Sequence, residues 1–126
     1  MPGVKDWLGK ASRDLKASKI LSDYDEVLDC SVFHTHQCAE KAFKAFIVFT
    51  GQAIPKTHDL RFLLEHCAEL DSELMLLKED CKNLNSYGSD SRYPNDRFYV
   101  DKQRTKDAVG MAETILTAIK EKLEGK

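Results

Sequence analysis

Glycine and proline are scarce, six and three in 126 residues, which is too few turn formers for an all-β fold of many short strands. No apolar run is longer than the stretch Ala45 to Phe49, far short of the roughly 20 residues a membrane helix needs, so no membrane segment is expected. The amino-terminal residues MPGVKDWLGK contain no apolar h-region, and a cytoplasmic location is the expectation. Four cysteines, Cys30, Cys38, Cys67 and Cys81, form no CxxC and no close pair, which argues against a disulfide framework or a zinc ribbon. They are expected to be reduced, buried residues on helix faces, with no metal bound. Charge of neither sign dominates. With 19 Lys+Arg against 21 Asp+Glu the net charge is −2, so no global field draws the chain to a polyanion, and any such site must come from local clustering.

What is present is 42% hydrophobic and 32% charged residues in a length that suits one core. The expectation is a single domain over residues 1–126, all-α, an up-and-down antiparallel bundle of about five helices. Trp7, Leu8, Ala11 and Leu15 recur at steps of mostly three and four, predicting a helix over about 5–22 with Lys10, Arg13, Lys16 and Lys19 on its outer face. From Tyr24 to Thr50 nothing breaks the run, and its wide apolar surface marks a central helix, with Gly51 as its C-cap. Thr57 offers an N-cap hydroxyl to a third helix carrying Leu60, Leu63, Leu64 and Cys67 to about Leu70. Ser72 can cap a fourth, with the seam Leu74, Leu77, Cys81 and Leu84. Val109, Ala112, Leu116, Ile119 and Leu123 define the last, over about 101–124.

Two constellations carry chemistry. On the central helix His34, Gln37, Lys41 and Lys44 fall within one arc of about 80°, with Glu40 at its border and His36 directed elsewhere. Such a stripe is either a solvated face or the lining of a groove or subunit seam, and on a helix this apolar the second is favoured. The same apolar breadth predicts a homodimer. The second constellation is the loop from Tyr87 to Tyr99. Here Arg92-Tyr93-Pro94 and Arg97-Phe98-Tyr99 alternate guanidinium groups with aromatic rings, a composition suited to a phosphate with a base stacked beside it. The alternative is a loop pinned by its tyrosines, with Arg92 and Arg97 paired to Asp90 and Asp96. The two constellations together are read as a nucleotide or phosphate site of Arg92, Tyr93, Arg97, Lys41, Lys44, His34, Gln37 and Tyr99, needing no cofactor.

Several enzymatic templates are absent. The chain has no GxxxxGK[ST], no GxGxxG and no HExxH, and no Glu stands three residues before a histidine.

Taken in order, these residues resemble the HEPN family of helical nucleotide-binding domains. The resemblance rests on Trp7-Leu8, Ala11, Asp14-Leu15 and Ala17; on Phe33-His34 with Gln37-Cys38-Ala39-Glu40-Lys41-Ala42 and Lys44-Ala45; on His58-Asp59-Leu60; and on Arg92-Tyr93-Pro94. Its strongest part is Gln-x-x-Glu-Lys-x-x-Lys followed by His-Asp-Leu. The resemblance implies a dimeric helical bundle that binds a nucleotide or RNA and is often paired with a minimal nucleotidyltransferase in a toxin–antitoxin-like system. Many relatives are metal-independent ribonucleases with an Arg-x4–6-His motif. Here no histidine follows Arg92, and Arg61 with His66 shows the spacing only inside the leucine-lined third helix. The Arg-Tyr-Pro form therefore points to a binding module first, a ribonuclease toxin second, and a structural helical adaptor third.

Overall fold

The structure, a computed structural model, describes residues 2–88 and 99–125. Among these residues it is an up-and-down bundle of five α-helices without a strand. The helices are α1 (Val4–Leu21), α2 (Leu28–Phe49), α3 (Leu60–Ala68), α4 (Lys78–Asn85) and α5 (Lys102–Glu124). Short 3-10 turns occupy Asp25–Val27 before α2, Ser72–Leu77 before α4 and Ser86–Gly88 after it.

Helix α2 is the axis on which α1, α3, α4, α5 and the Ser86–Gly88 turn all pack. Its Ala39, Ala42, Phe43, Ala45 and Ile47 have no exposed surface, the alanines allowing neighbouring backbones to come close. Much of the apolar breadth of α2 is thus covered within one chain, with Phe49 at its end left 42% exposed. Helices α1 and α2 run antiparallel, since Ser31 meets Ser18 (Oγ to carbonyl, 2.7 Å), His34 meets Asp14 and Lys44 meets Trp7. Both serines are wholly buried, and each hydroxyl donates to a main-chain carbonyl.

Aspartates cap α3, the Ser72–Leu77 turn and α5, and several helix ends depart from expectation, among them the start of α2 at Leu28 rather than near Tyr24. Asp59, not Thr57, is the N-cap of α3: its carboxylate accepts from the Arg61 and Phe62 amides, while the Thr57 hydroxyl accepts from the Asp59 amide and shapes the approach. A carboxylate is the better acceptor and its charge favours the positive end of the helix. Asp71, not Ser72, caps the next segment, which begins as a 3-10 turn and becomes α-helical only at Lys78. The α3 helix stops at Ala68 rather than Leu70. Gly51 behaves as expected. With φ +82° it turns the chain so that its amide reaches the Val48 carbonyl and the Gln52 amide reaches that of Ile47.

The expected core seams of α3, the fourth segment and α5 are buried, with Leu123 half-buried at the end. Cys38, Cys67 and Cys81 are buried free thiols, but Cys30 is exposed because it sits in the first turn of α2, on the side facing solvent. No helix among the described residues is long and apolar enough to cross a membrane.

Candidate functional site

The polar stripe of α2 resolves into two clusters, each built around a carboxylate withdrawn from water. At the first, Asp14 of α1 is 2% exposed and accepts from His34 Nδ1 at 2.9 Å and from Lys10 Nζ at 3.3 Å, both on Oδ1. Its Oδ2 is buried without a hydrogen-bond partner among the described residues. Because a carboxylate only accepts, His34 Nδ1 is the donor in this contact, and the Nε2 edge of the ring is turned away from Asp14. His34 keeps 31% of its side chain exposed.

The second cluster centres on Glu40, which has no exposed surface. Its Oε2 accepts from Lys44 Nζ at 2.7 Å and Lys41 Nζ at 3.1 Å, and both carboxylate oxygens lie 3.1 Å from His58 Nδ1. Lys41 also donates to Gln37 Oε1 at 3.1 Å, and Lys44 lies 5.7 Å from the centre of the Trp7 ring, within cation–π range. Burial by itself would raise the Glu40 carboxyl. The Lys44 hydrogen bond, the charges of Lys41 and Lys44 and the His58 contact outweigh it and bring the pKa down to about 2. Two ammonium groups therefore share one carboxylate, and the cluster carries a net positive charge.

His36, expected to point away from the stripe, belongs to this cluster. Its Nδ1 is 3.8 Å from Glu40 Oε1, beyond hydrogen-bond reach, and has no hydrogen-bond partner among the described residues. Burial lowers its pKa below the ordinary histidine value, against the opposing pull of Glu40. Gly88 lies against the imidazole so closely that a Cβ there would fall 2.5 Å from the ring atoms.

Gln37, Lys41 and Lys44 are thus brought together as the stripe predicts, with His34 one turn away facing Asp14. Lys44 is 8% exposed rather than projecting into a groove. Tyr99 is 73% exposed. Arg92, Tyr93 and Arg97, with the alternative pairing to Asp90 and Asp96, lie outside the described residues. Asp14, His36 and His58 are site neighbours that the stripe alone does not nominate. The four-residue steps from His36 to Glu40 to Lys44 are a usable signal for the first of these histidines, whereas His58 arrives from the α2–α3 connection and leaves no periodic trace. Among the described residues no group of three or more His, Cys, Asp and Glu is placed to hold a metal ion.

Among the described residues the chain is a helical bundle whose central helix carries the Glu40–Lys41–Lys44 cluster, met by His58, the residue that precedes the Asp59 cap. The chain belongs to the HEPN domain family, which matches residues 4–123. Its fold is similar to that of ST0689, an archaeal HEPN homologue, at 24% identity and TM-score 0.78, covering 97% of this chain and 98% of that one. It is also similar to TT1696 from Thermus thermophilus, at 26% identity and TM-score 0.80, covering 97% and 99%. No curated protein matches the sequence.

Proposed function

We propose that the protein is a nucleotide- or RNA-binding HEPN module, taking the phosphate at the His34, Gln37 and Lys41 edge of α2 with Arg92, Tyr93, Arg97 and Tyr99 completing the site. The supporting observation is the charge balance of the Glu40 cluster. Lys44 satisfies Glu40 at 2.7 Å, so Lys41, held at 3.1 Å, can turn to an incoming anion without leaving the buried carboxylate unpaired. Family membership supports the same reading, and the homodimer and the minimal nucleotidyltransferase partner of a toxin–antitoxin-like pair are part of the proposal on that ground alone.

Titration calorimetry with mononucleotides and short single-stranded RNA tests it. Arg92→Ala and Lys41→Ala should each weaken binding about tenfold, the size of one charge-assisted contact, and Arg92→Lys should recover only part because a point charge lacks the bidentate fork. Affinity should fall with salt, less steeply in the variants. Equal binding by wild type and both alanine variants, or no binding by wild type at millimolar nucleotide, overturns the reading. Light scattering reports the dimer.

The His34–Asp14 pair favours one second reading, metal-independent RNA cleavage. His34 Nε2 would take the 2′-hydroxyl proton as that oxygen bonds to phosphorus and the 5′ oxygen leaves with a proton from water, giving a 2′,3′-cyclic phosphate, so a base other than the family's usual histidine is available. RNA hydrolysis abolished by His34→Ala supports it, and intact RNA after prolonged incubation with wild type excludes it.

A further inference from the structure

We propose a second anion site, distinct from the α2 stripe, in the cleft between α3 and α4, where a phosphomonoester with an apolar or planar body binds. The cleft has a volume of about 370 Å³ and is lined by Arg61, Leu64, Lys78, Cys81, Lys82 and Asn85. That volume lies in the range of small-ligand sites. Leu64 and Cys81, each 1% exposed, belong to the core beneath it and make an apolar floor. The charged lining is all of one sign, in a chain whose net charge is −2.

The cations differ in how far they are already neutralised. Arg61 Nε donates to Glu65 at 3.2 Å, so its charge is largely answered. Lys78 and Lys82, one helical turn apart on α4, have no hydrogen-bonding or ion-pairing partner among the described residues, and neither Glu79 nor Asp80 of the same helix turns to them. Asp80 shows the same thing from its own side: burial and then Glu79 raise its pKa, with no lysine lowering it. Two ammonium groups without a partner among the described residues, facing one concavity, match a group carrying about two negative charges, which a phosphomonoester is near neutral pH and a simple carboxylate is not.

The walls are held before any ligand arrives. Asn85 at the end of α4 accepts from the Leu60 amide and donates to Asp59 Oδ1, each at 2.9 Å, tying that end of the cleft to the start of α3. Binding then orders little besides the two lysine side chains. Asn85, with both functions engaged in the tie, fixes the width of the site, and the lysines supply the recognition.

The experiment is a titration of the full chain with AMP, followed by amide chemical shifts. Adenosine and inorganic phosphate serve as the separate halves of the ligand. Saturable shifts are expected at Leu64, Cys81, Lys82 and Asn85, weaker with phosphate and absent with adenosine. Lys78→Ala with Lys82→Ala should weaken this set about tenfold or more, while Lys78→Arg with Lys82→Arg should keep it and Lys41→Ala should leave it unchanged. The last variant separates this site from the α2 reading, which can fail independently. The proposal is overturned if AMP shifts residues of α2 only, if the double alanine variant binds as wild type does, or if no saturable shift appears at the cleft by about 10 mM AMP.

Discussion

Lys44 Nζ and Glu40 Oε2 stand 2.7 Å apart, one helical turn from each other, with Glu40 fully withdrawn from water and Lys44 nearly so. Removing one partner of such a pair leaves a buried charge unanswered, which costs more than the pair contributes. Glu40→Ala should destabilise the fold by about 3–5 kcal/mol, whereas Glu40→Leu combined with Lys44→Met should recover most of that loss. Thermal and urea denaturation of wild type, Glu40→Ala, Glu40→Leu, Lys44→Met and the double variant decides it, and additivity of Glu40→Leu and Lys44→Met would contradict the coupling.

Acid should weaken the fold in two stages. His36 and Glu40 both have folded-state pKa values below their ordinary ones, 6.5 and 4.5 respectively, so the unfolded chain binds protons first. The His36 contribution is complete above pH 6.5 and is lost as the pH falls below it. The Glu40 contribution is complete above 4.5 and is lost as the pH falls toward about 2. Denaturant midpoints followed from neutral to strongly acid pH should show both declines, with His36→Gln removing the upper and Glu40→Gln the lower. A midpoint constant down to about pH 3 would count against both assignments.

Gly88 is required for room rather than for backbone freedom. Its φ is not positive, yet an added methyl would fall 2.5 Å from the buried His36 ring. Gly88→Ala should cost about 1–3 kcal/mol by overpacking, and the loss should shrink when His36→Ala opens the space. Equal costs of Gly88→Ala in the two backgrounds would show that the contact is unimportant.

Thiol reactivity should divide the cysteines one against three. Cys30 is exposed, its thiol raised by partial burial and by Asp29, while fuller burial pushes the Cys38, Cys67 and Cys81 thiols up to about 12. A disulfide exchange reagent should titrate one thiol in the folded protein near pH 8 and the remainder only on unfolding. Rapid reaction of all four would mean the core opens far more readily than its packing implies.

The bundle was legible because periodicity reports burial directly: Leu60, Leu63, Leu64 and Cys67, or Leu74, Leu77, Cys81 and Leu84, lie where steps of three and four put them. Helix starts were less so, since Thr57 and Asp59 are both good caps and the choice turns on which one the tertiary structure holds. Here Asn85, distant in sequence, bonds to Asp59 and to the Leu60 amide. The α2 cluster was legible as a stripe but not as a depth profile. Lys41 and Lys44 read alike in sequence, yet Lys44 is covered beside Trp7, a residue from another helix. Asp14 and His58 are marked in the sequence only by the family resemblance, because their pairing with His34 and Glu40 runs across elements, which a period cannot register.

The tie between Asn85 and the Asp59 cap also sets how the protein opens. It closes the chain from Asp59 to Asn85 onto its own beginning, so that α3, the Ser72–Leu77 turn and α4 form a ring shut by two hydrogen bonds. A segment closed in this way loses protection as one body. Amide exchange in α3 and α4 should therefore proceed at a shared rate, faster than in α2, with α1, α2 and α5 remaining as a frame onto which the ring re-docks.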